Sequence, residues 1–260
     1  MYKFSVQIKA FAVGTALVAA TLGAQVASAF SKAQATSTFA ACQELFPTGR
    51  PIDVQKVDAH WNVAALCSRH FAVLYSKLTK SPLVVVERLN AALLTQARDE
   101  ERTNEFFPDS RLNRGERAEL EDFRGSGYDR GHLANAADQP DQASMVESFA
   151  LSNMIMQDPY NNRKGAWLKA EMDTRKFARR AQGDVFVFSG PLFRGEIKKI
   201  GPNQVWVPSH IFKLVFDQAS GHAWAHIVAN TAQARLEAPM SYADFVKETG
   251  WKLLGEPNAR

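Results

Sequence analysis

Asp184-Val-Phe-Val-Phe188, followed by Ser189-Gly-Pro191, is the clearest strand signal in the chain. Apolar β-branched and aromatic residues fill the run, and a Gly-Pro turn signal ends it. Other strands are predicted at residues 71–75, 83–89, 205–207, 211–216 and 223–228, with a hairpin connection over residues 77–82. Helices are predicted at residues 114–123, 143–151, 162–180 and 242–249. Because strands and helices mix without strict alternation, the sequence predicts an α+β fold, with a central antiparallel sheet flanked by helices.

The length and charge of the chain leave many functions open. The sequence has 260 residues and a formal net charge of +4. No composition break divides it after residue 29, so we expect a single domain over residues 30–260, long enough to bury a substantial core. A mildly basic chain permits a nucleic-acid partner, but it does not by itself indicate one.

The first 29 residues are predicted to be a signal peptide. Lys3 and Lys9 make a basic start, residues 10–26 are apolar, and Ala27-Ser28-Ala29 has the small-x-small pattern of a cleavage site. An uncleaved membrane anchor is the alternative, since the apolar run is nearly long enough to span a bilayer, but Gln25 and the many small residues argue against it. We therefore expect an exported protein, periplasmic or extracellular, with no membrane anchor after cleavage.

Cys42 and Cys67 are the only cysteines in the chain. In an oxidising compartment, two cysteines in one exported chain favour a disulfide. Two buried free thiols are the alternative. A zinc site is not favoured, because only His70 follows Cys67 at ligand spacing and no further motif completes a set of four ligands.

The sharpest local motif is Gly125-Ser-Gly-Tyr-Asp-Arg-Gly-His-Leu133. Its three glycines let the backbone turn tightly and approach a ligand closely. Asp129, Arg130 and His132 add a carboxylate, a guanidinium and an imidazole. A histidine whose tautomer is fixed by a neighbour can take a proton from water near neutral pH. A turn that carries a surface histidine is the alternative interpretation.

A second group of polar residues follows at Ser152-Asn153, Gln157, Asn161-Asn162-Arg163 and Glu171. Asn and Glu side chains supply oxygen ligands, which a hard cation such as Mg²⁺ prefers. An ordinary helix start, capped by one of the two neighbouring asparagines, is the simpler interpretation. Capping explains one asparagine but not the whole set.

Taken together and in this order, these residues resemble the DNA/RNA non-specific endonucleases, a family of the ββα-metal nuclease group. The resemblance rests on Asp129-Arg-Gly-His132, on Ser152-Asn153 with Gln157, and on the Asn-Arg-(x)-Gly-x-Trp-x-x-x-Glu run at residues 162–171. Weaker matches lie at Glu101-Arg102, Phe106, Asp109, residues 185–191, Val207-Pro208 and His210.

The resemblance implies a ββα-metal finger active site that hydrolyses DNA and RNA without sequence specificity, using Mg²⁺, with Mn²⁺ as a substitute. His132 matches the general base, Asn162 the direct metal ligand, and Glu171 the residue that holds the water shell of the metal. Arg102 is the candidate for stabilising charge on the phosphate. Positioning or substrate-binding roles are implied for Asp129, Arg130, Asn153, Gln157 and Arg163. A homodimer is compatible with the resemblance.

One departure from the family pattern is the spacing of nine residues between Asn162 and Glu171, which is one residue too long. An extra residue, taken to be Lys164, rotates a later side chain on an ideal helix by roughly 100°. A π-bulge or a late helix start would absorb it; otherwise Glu171 no longer reaches the metal. An alternative function is therefore a catalytically impaired relative that binds nucleic acid with a disrupted metal site. A third is a metal-dependent phosphodiesterase that acts on small substrates.

Overall fold

An antiparallel sheet forms the centre of the computed structural model, which describes residues 35–97 and 102–255. The predicted signal peptide lies outside the described residues. The strands, in chain order, are β1 Val63–Cys67, β2 Phe71–Ser76, β3 Ser81–Leu89, β4 Asp129–His132, β5 Met154–Gln157, β6 Val185–Leu192, β7 Lys199–Ile200, β8 Val205–Trp206, β9 His210–Asp217, β10 His222–Ala229 and β11 Met240–Ser241.

The central sheet has seven strands in the order β1-β2-β3-β6-β9-β10-β11, and every neighbouring pair is antiparallel. Two further ladders, β4-β5 and β7-β8, stand apart from it. The predicted strands all coincide with observed ones, and the α+β fold with a central antiparallel sheet is confirmed.

The helices are short, apart from one. In chain order the described α-helices are α1 Ala91–Gln96, α2 Leu120–Phe123, α3 Gln142–Ser148, α4 Pro159–Arg163, α5 Ala166–Ala178 and α6 Tyr242–Thr249. Short 3₁₀ helices lie at Ala40–Leu45, Pro47–Gly49, Val54–Lys56, Ala59–Trp61, Ala136–Asp138 and Leu151–Asn153.

Two helix predictions need correction. The helix expected at residues 114–123 forms only its last turn, because a capping box between Glu119 and Asp122 fixes the start of α2. The helix expected at residues 162–180 is two helices, α4 and α5. The predicted C-terminal helix is confirmed, and the Ser241 hydroxyl caps it by accepting a hydrogen bond from the Asp244 amide at 3.1 Å.

Both faces of the central sheet are covered, and for this reason β2 and β6 are buried at every position. One face packs against Phe39 and Phe46 of the N-terminal segment and against Phe245 of α6. The other face packs against Ile155 of β5, against Leu133, which follows β4, and against the first turn of α5. The two polar motifs of the sequence therefore lie together on this second face.

A disulfide joins Cys42, in the 3₁₀ helix Ala40–Leu45, to Cys67, the last residue of β1, as predicted. Their Cα atoms lie 5.8 Å apart, within the usual range for a disulfide. The bond ties the N-terminal segment to the edge strand of the sheet.

Replacing both cysteines by serine is expected to lower the free energy of unfolding by about 3 kcal/mol, because the bond closes a loop of 25 residues. Urea unfolding of the oxidised wild type and of the double variant measures the difference. Equal unfolding midpoints for the two proteins would show that the bond contributes no stability.

Candidate active site

The second face of the sheet carries a strand–strand–helix unit formed by β4, β5 and α4. The ladder pairs Asp129 with Gln157 at one end and His132 with Met154 at the other. Asp158 then ends β5 and caps α4, its carboxylate accepting a hydrogen bond from the Asn161 amide at 2.9 Å. The two motifs of the sequence are thus brought together as the two strands and the helix of one compact unit.

Gly131 is required by the close packing of this ladder. A Cβ atom at Gly131 would lie 2.0 Å from Oε1 of Gln157, so only a glycine leaves room for that side chain. Gln157 is fully buried, and neither polar atom of its carboxamide has a hydrogen-bond partner among the described residues. A buried carboxamide without hydrogen-bond partners destabilises the folded protein unless a water or another group forms hydrogen bonds with it.

The Asp129 carboxylate fixes the orientation of Asn162. It accepts a hydrogen bond from Nδ2 of Asn162 at 2.8 Å, and it forms a two-pronged ion pair with the Arg163 guanidinium. Since the amide nitrogen of Asn162 faces Asp129, its carbonyl oxygen Oδ1 faces away. Oδ1 is an uncharged oxygen donor of the kind that a hard cation accepts.

The extra residue between Asn162 and Glu171 is absorbed by a break between two helices. Helix α4 ends at Arg163, and α5 begins at Ala166. A Cβ atom on Gly165 would lie 2.8 Å from Cα of Asn161, so the chain turns close against α4 at a glycine. Oδ1 of Asn161 caps α5 by accepting a hydrogen bond from the Trp167 amide at 2.9 Å. The chain therefore has a late start of helix α5, at Ala166, and not a π-bulge.

His132 lies at the end of β4 in an aromatic setting. Its side chain is 9% exposed, with ring centroids 4.8 Å from Phe149 and 5.6 Å from Phe106. Nε2 has no hydrogen-bond partner within residues 35–97 and 102–255. Burial, and then the positive charge of Arg102, lower the pKa of His132 to about 3. The imidazole is therefore neutral at every physiological pH.

Two arginines stack on the same aromatic pair. The Arg102 guanidinium lies 5.3 Å from the ring centroid of Phe149, and the Arg130 guanidinium lies 4.2 Å from that of Phe106. Stacking holds a guanidinium in place without using up its charge. Arg102 and Arg130 therefore place positive charge beside His132, where an anion would be attracted.

Asn153 holds the loop that follows His132. Its carboxamide accepts a hydrogen bond from the Ala134 amide and donates one to the Ala134 carbonyl, both at 2.9 Å. The preceding residue, Ser152, donates to the buried Asp109 carboxylate. Burial raises the pKa of Asp109, but the charge and hydrogen bonds of Arg111 together with the Ser152 hydroxyl outweigh burial, so the pKa lies below its usual value. Asn153 thus holds the backbone at Ala134, two residues after His132.

Glu171 lies among charged residues that sequence reasoning missed. The charges of Lys213, Asp138 and Arg175 and the side chain of Asn135 all influence the pKa of its carboxylate. Burial outweighs the opposing effect of Lys213 and raises the pKa of Glu171 to about 7. One feature of the sequence could have indicated these buried charges: Lys213 lies within the otherwise apolar strand Ile211-Phe-Lys-Leu-Val-Phe216.

The site is poor in charged metal ligands. In the part of the chain that the structure describes, no group of three His, Cys, Asp or Glu side chains is placed to hold a metal ion between them. A cation held here would depend on Oδ1 of Asn162 and on water, which suits Mg²⁺, an ion that usually keeps several waters.

None of the helices in the described ranges has the length and apolar character needed to cross a membrane.

Comparison with known proteins gives a consistent result. A model of the DNA/RNA non-specific endonuclease family matches residues 53–254. Human endonuclease G, mitochondrial, is 39% identical over 171 residues, which cover 61% of this chain and 57% of that protein. Human nuclease EXOG, mitochondrial, is 34% identical over 167 residues, covering 60% and 45%. The chain thus matches about half the length of these curated relatives.

A solved structure described as the EndoG/EndoGI complex, on the mechanism of EndoG inhibition, has the same fold. It superimposes with a TM-score of 0.68 at 24% sequence identity, and the match covers 82% of this chain and 91% of that chain. At this identity the likeness establishes the fold alone.

The names of the relatives contradict the expected location. They are called mitochondrial nucleases, so the prediction of a periplasmic or extracellular protein is wrong. The physical reason is that a short start free of acidic residues is common to several kinds of targeting segment. The composition of residues 1–29 could not decide between them.

Gly131→Ala is expected to lower the free energy of unfolding by about 2 kcal/mol or more, since the new methyl group would overlap the buried Gln157 side chain. Gly183→Ala is the matched control, because its methyl group would meet only Cβ of Ala219 at 3.7 Å. Denaturant unfolding compares the two variants. A Gly131→Ala protein as stable as the control would mean that the ladder can open to admit the methyl group.

Proposed function

The chain belongs to the DNA/RNA non-specific endonuclease family, and from this premise we propose that it is a Mg²⁺-dependent endonuclease that hydrolyses the phosphodiester bonds of DNA and RNA. The observation that carries the proposal is the pairing of a neutral, buried His132 on β4 with an oriented Asn162 on α4 of the same unit. Hydrolysis of a phosphodiester needs a base for water, neutralisation of charge at phosphorus and help for the leaving oxygen.

His132 is the proposed general base. Its imidazole takes a proton from a water molecule as the water oxygen attacks phosphorus and the bond from phosphorus to the leaving oxygen breaks. A free-protein pKa of about 3 makes a weak base. An incoming phosphate would offset the Arg102 charge that contributes to this value, and it would therefore raise the pKa of His132 as the reaction begins.

Arg102 and Arg130 are the proposed phosphate contacts. Both guanidiniums lie stacked on the aromatic pair that also packs against His132. Guanidinium groups match the geometry of phosphate oxygens and stabilise the charge that develops on them. Contacts to phosphate and sugar carry no direct information on base identity, so we propose that this site cuts many sequences.

Asn162 is the proposed metal ligand, through the Oδ1 atom that its bond to Asp129 turns outwards. Mg²⁺ bound there would supply neutralisation of phosphate charge and stabilisation of the leaving oxygen, and Mn²⁺ would substitute for it. Asp129 and Arg163 hold the ligand in place. Glu171 is proposed to act on the water around the metal.

The impaired, nucleic-acid-binding relative is the second candidate, and the structure argues against it. The extra residue falls in the break between α4 and α5, so it leaves the contact between Asn162 and Asp129 intact. Asn162 therefore keeps the partner that orients it, and the extra residue gives no reason to expect loss of metal binding.

Cleavage of supercoiled plasmid is expected to require a divalent cation, to stop in excess EDTA and to return when Mg²⁺ is restored. His132→Ala is expected to lower the rate by about 10²-fold or more, the usual range for loss of a general base. The impaired-relative candidate instead predicts wild-type protein that shifts DNA in a gel without cutting it. Full cleavage in EDTA would rule out the metal mechanism.

Asn162→Ala is expected to reduce Mg²⁺-dependent activity more than Glu171→Ala, because Asn162 is the proposed direct ligand. The change should appear as a higher Mg²⁺ concentration at half-maximal rate for Asn162→Ala. Measuring this midpoint for both variants at pH 8, where Glu171 is largely ionised, tests the order. The opposite order would place the metal nearer to Glu171.

A further inference from the structure

Three basic side chains near β4 have no acidic partner. Within the described parts of the chain, Arg102, Arg130 and Lys198 form no ion pair with a carboxylate. Each lies instead over an aromatic ring. Positive charges in this state are available to attract an anion. The two arginines are already the proposed phosphate contacts, whereas Lys198 has no part in the proposed reaction.

A row of side chains follows one face of β4. Because side chains alternate across a strand, Tyr128, which directly precedes β4, lies on the same face as Arg130 and His132. The Phe106 ring packs against Arg130 and His132, and Phe106 and Tyr128 pack against the same apolar cluster. From His132 to Tyr128 the row is about 14 Å long. Such a length covers several phosphates of a nucleic-acid strand.

Lys198 reaches the end of this row that is farther from His132. Its Nζ donates a hydrogen bond to the Tyr128 hydroxyl at 3.3 Å and lies 5.0 Å from the centroid of the Tyr128 ring. The lysine is exposed and the tyrosine is half-buried. An ammonium group has further donors, and a phenol that accepts a bond keeps its own proton for another acceptor. The pair therefore presents two donors and one positive charge at a single place.

The hairpin that carries Lys198 is fixed to the rest of the fold. Asn203, in the turn between β7 and β8, donates two hydrogen bonds to the Asp122 carboxylate, at 2.8 and 2.9 Å. A Cβ atom on Gly201 would lie 2.4 Å from Cα of Asp122, so the turn packs directly on α2. The carbonyl of Lys198 accepts a hydrogen bond from the Val207 amide at 2.9 Å. The backbone at Lys198 is thus held in place beside Tyr128.

The neighbouring residue, Lys199, lies on the other face of the hairpin. Its Nζ is 5.3 Å from the ring centroid of Trp206, its partner across the ladder. Trp206 packs against Trp61 and Phe193, which belong to the core on the first face of the central sheet. Both lysines are exposed, but Lys198 is the one that contacts the row along β4. Lys199 is therefore a control of equal charge.

We propose that Lys198 and the Tyr128 hydroxyl bind a backbone phosphate of the nucleic-acid strand that lies along β4, beyond Arg130 as seen from His132. This inference rests on the proposed nuclease function. An ammonium and a hydroxyl donate to phosphate oxygens, and contacts of this kind carry no direct information on base identity. The bound phosphate lies a few nucleotides from the one that is cleaved. The site therefore adds affinity for long substrates and takes no part in the chemical step.

Binding of a labelled DNA duplex tests the charge of Lys198. Measurements use His132→Ala as the parent protein, in excess EDTA, so that the duplex stays intact. Between about 50 and 200 mM salt, adding Lys198→Ala should reduce the slope of log Kd against log salt by about one, because one phosphate contact is lost. Affinity should fall by about fivefold. Adding Lys199→Ala should leave both quantities near those of the parent. Equal changes in the two variants would show general attraction to a basic hairpin and overturn the proposal.

Tyr128→Phe tests the second donor in the same assay. This change removes the hydroxyl but no charge, so affinity should fall by about threefold while the salt slope stays that of the parent. Parent-like affinity would show that the hydroxyl does not contact phosphate, and it would overturn a site with two donors.

Cleavage kinetics in Mg²⁺ separate a substrate contact from a merely structural role. With Lys198→Ala in the otherwise wild-type chain, KM for a long duplex should rise by about fivefold. The value of kcat should not change, since the lost contact is the same in the ground state and the transition state. A small chromogenic phosphodiester, too short to reach Lys198, should be cleaved at the wild-type rate. Loss of activity on both substrates would show a structural defect and overturn the proposal.

The outcomes separate this inference from the nuclease assignment. Wild-type protein that fails to cut DNA in Mg²⁺ contradicts the proposed function, and the binding series still tests the phosphate contact at Lys198. An active wild type whose Lys198→Ala variants keep the salt slope and the KM of their parents contradicts the Lys198 site alone.

Discussion

The hydrogen bond from Asn162 to the Asp129 carboxylate is the interaction on which the site depends. It joins the helix of the strand–strand–helix unit to the first residue of its first strand. An asparagine side chain can present either its oxygen or its nitrogen to a ligand, and only a fixed acceptor decides between them. Asp129 also binds Arg163, so the helix is held at two successive residues.

Packing against the sheet keeps that interaction in register. Gln157 lies over Gly131 with no space between them, so the β4-β5 ladder cannot slip without a clash. Ile155 and Leu133 anchor the ladder in the core of the second face. The hydrogen bonds of the site are therefore built on a rigid base, which is what a site with few charged ligands needs.

Apolar runs made the sheet predictable, whereas the details of the site needed coordinates. A run such as Asp184-Val-Phe-Val-Phe188 forms a strand of which nearly every residue is buried. Its apolar composition predicts that burial from the sequence alone. The break before Ala166 has only a weak signal: a single glycine, Gly165, disfavours a helix without fixing where the chain turns. The close approach of Gly165 to Asn161 and the capping bond of Asn161 locate the break. Lys213 was hidden for a related reason, since its partners come from distant parts of the sequence.

The surroundings of His132 and Glu171 impose opposite electrostatic conditions on the two sides of one loop. Phe106 and Phe149 exclude water from the imidazole and keep it neutral, while Lys213 opposes the burial that would protonate Glu171. A base must be neutral to accept a proton, and a carboxylate must be charged to order water around a cation. Two groups with shifted pKa values can meet both demands at one pH only if each lies in its own environment. Asn153 holds the short loop that follows His132, and Asp138, whose charge acts on Glu171, lies beyond that loop, so the two groups keep separate surroundings.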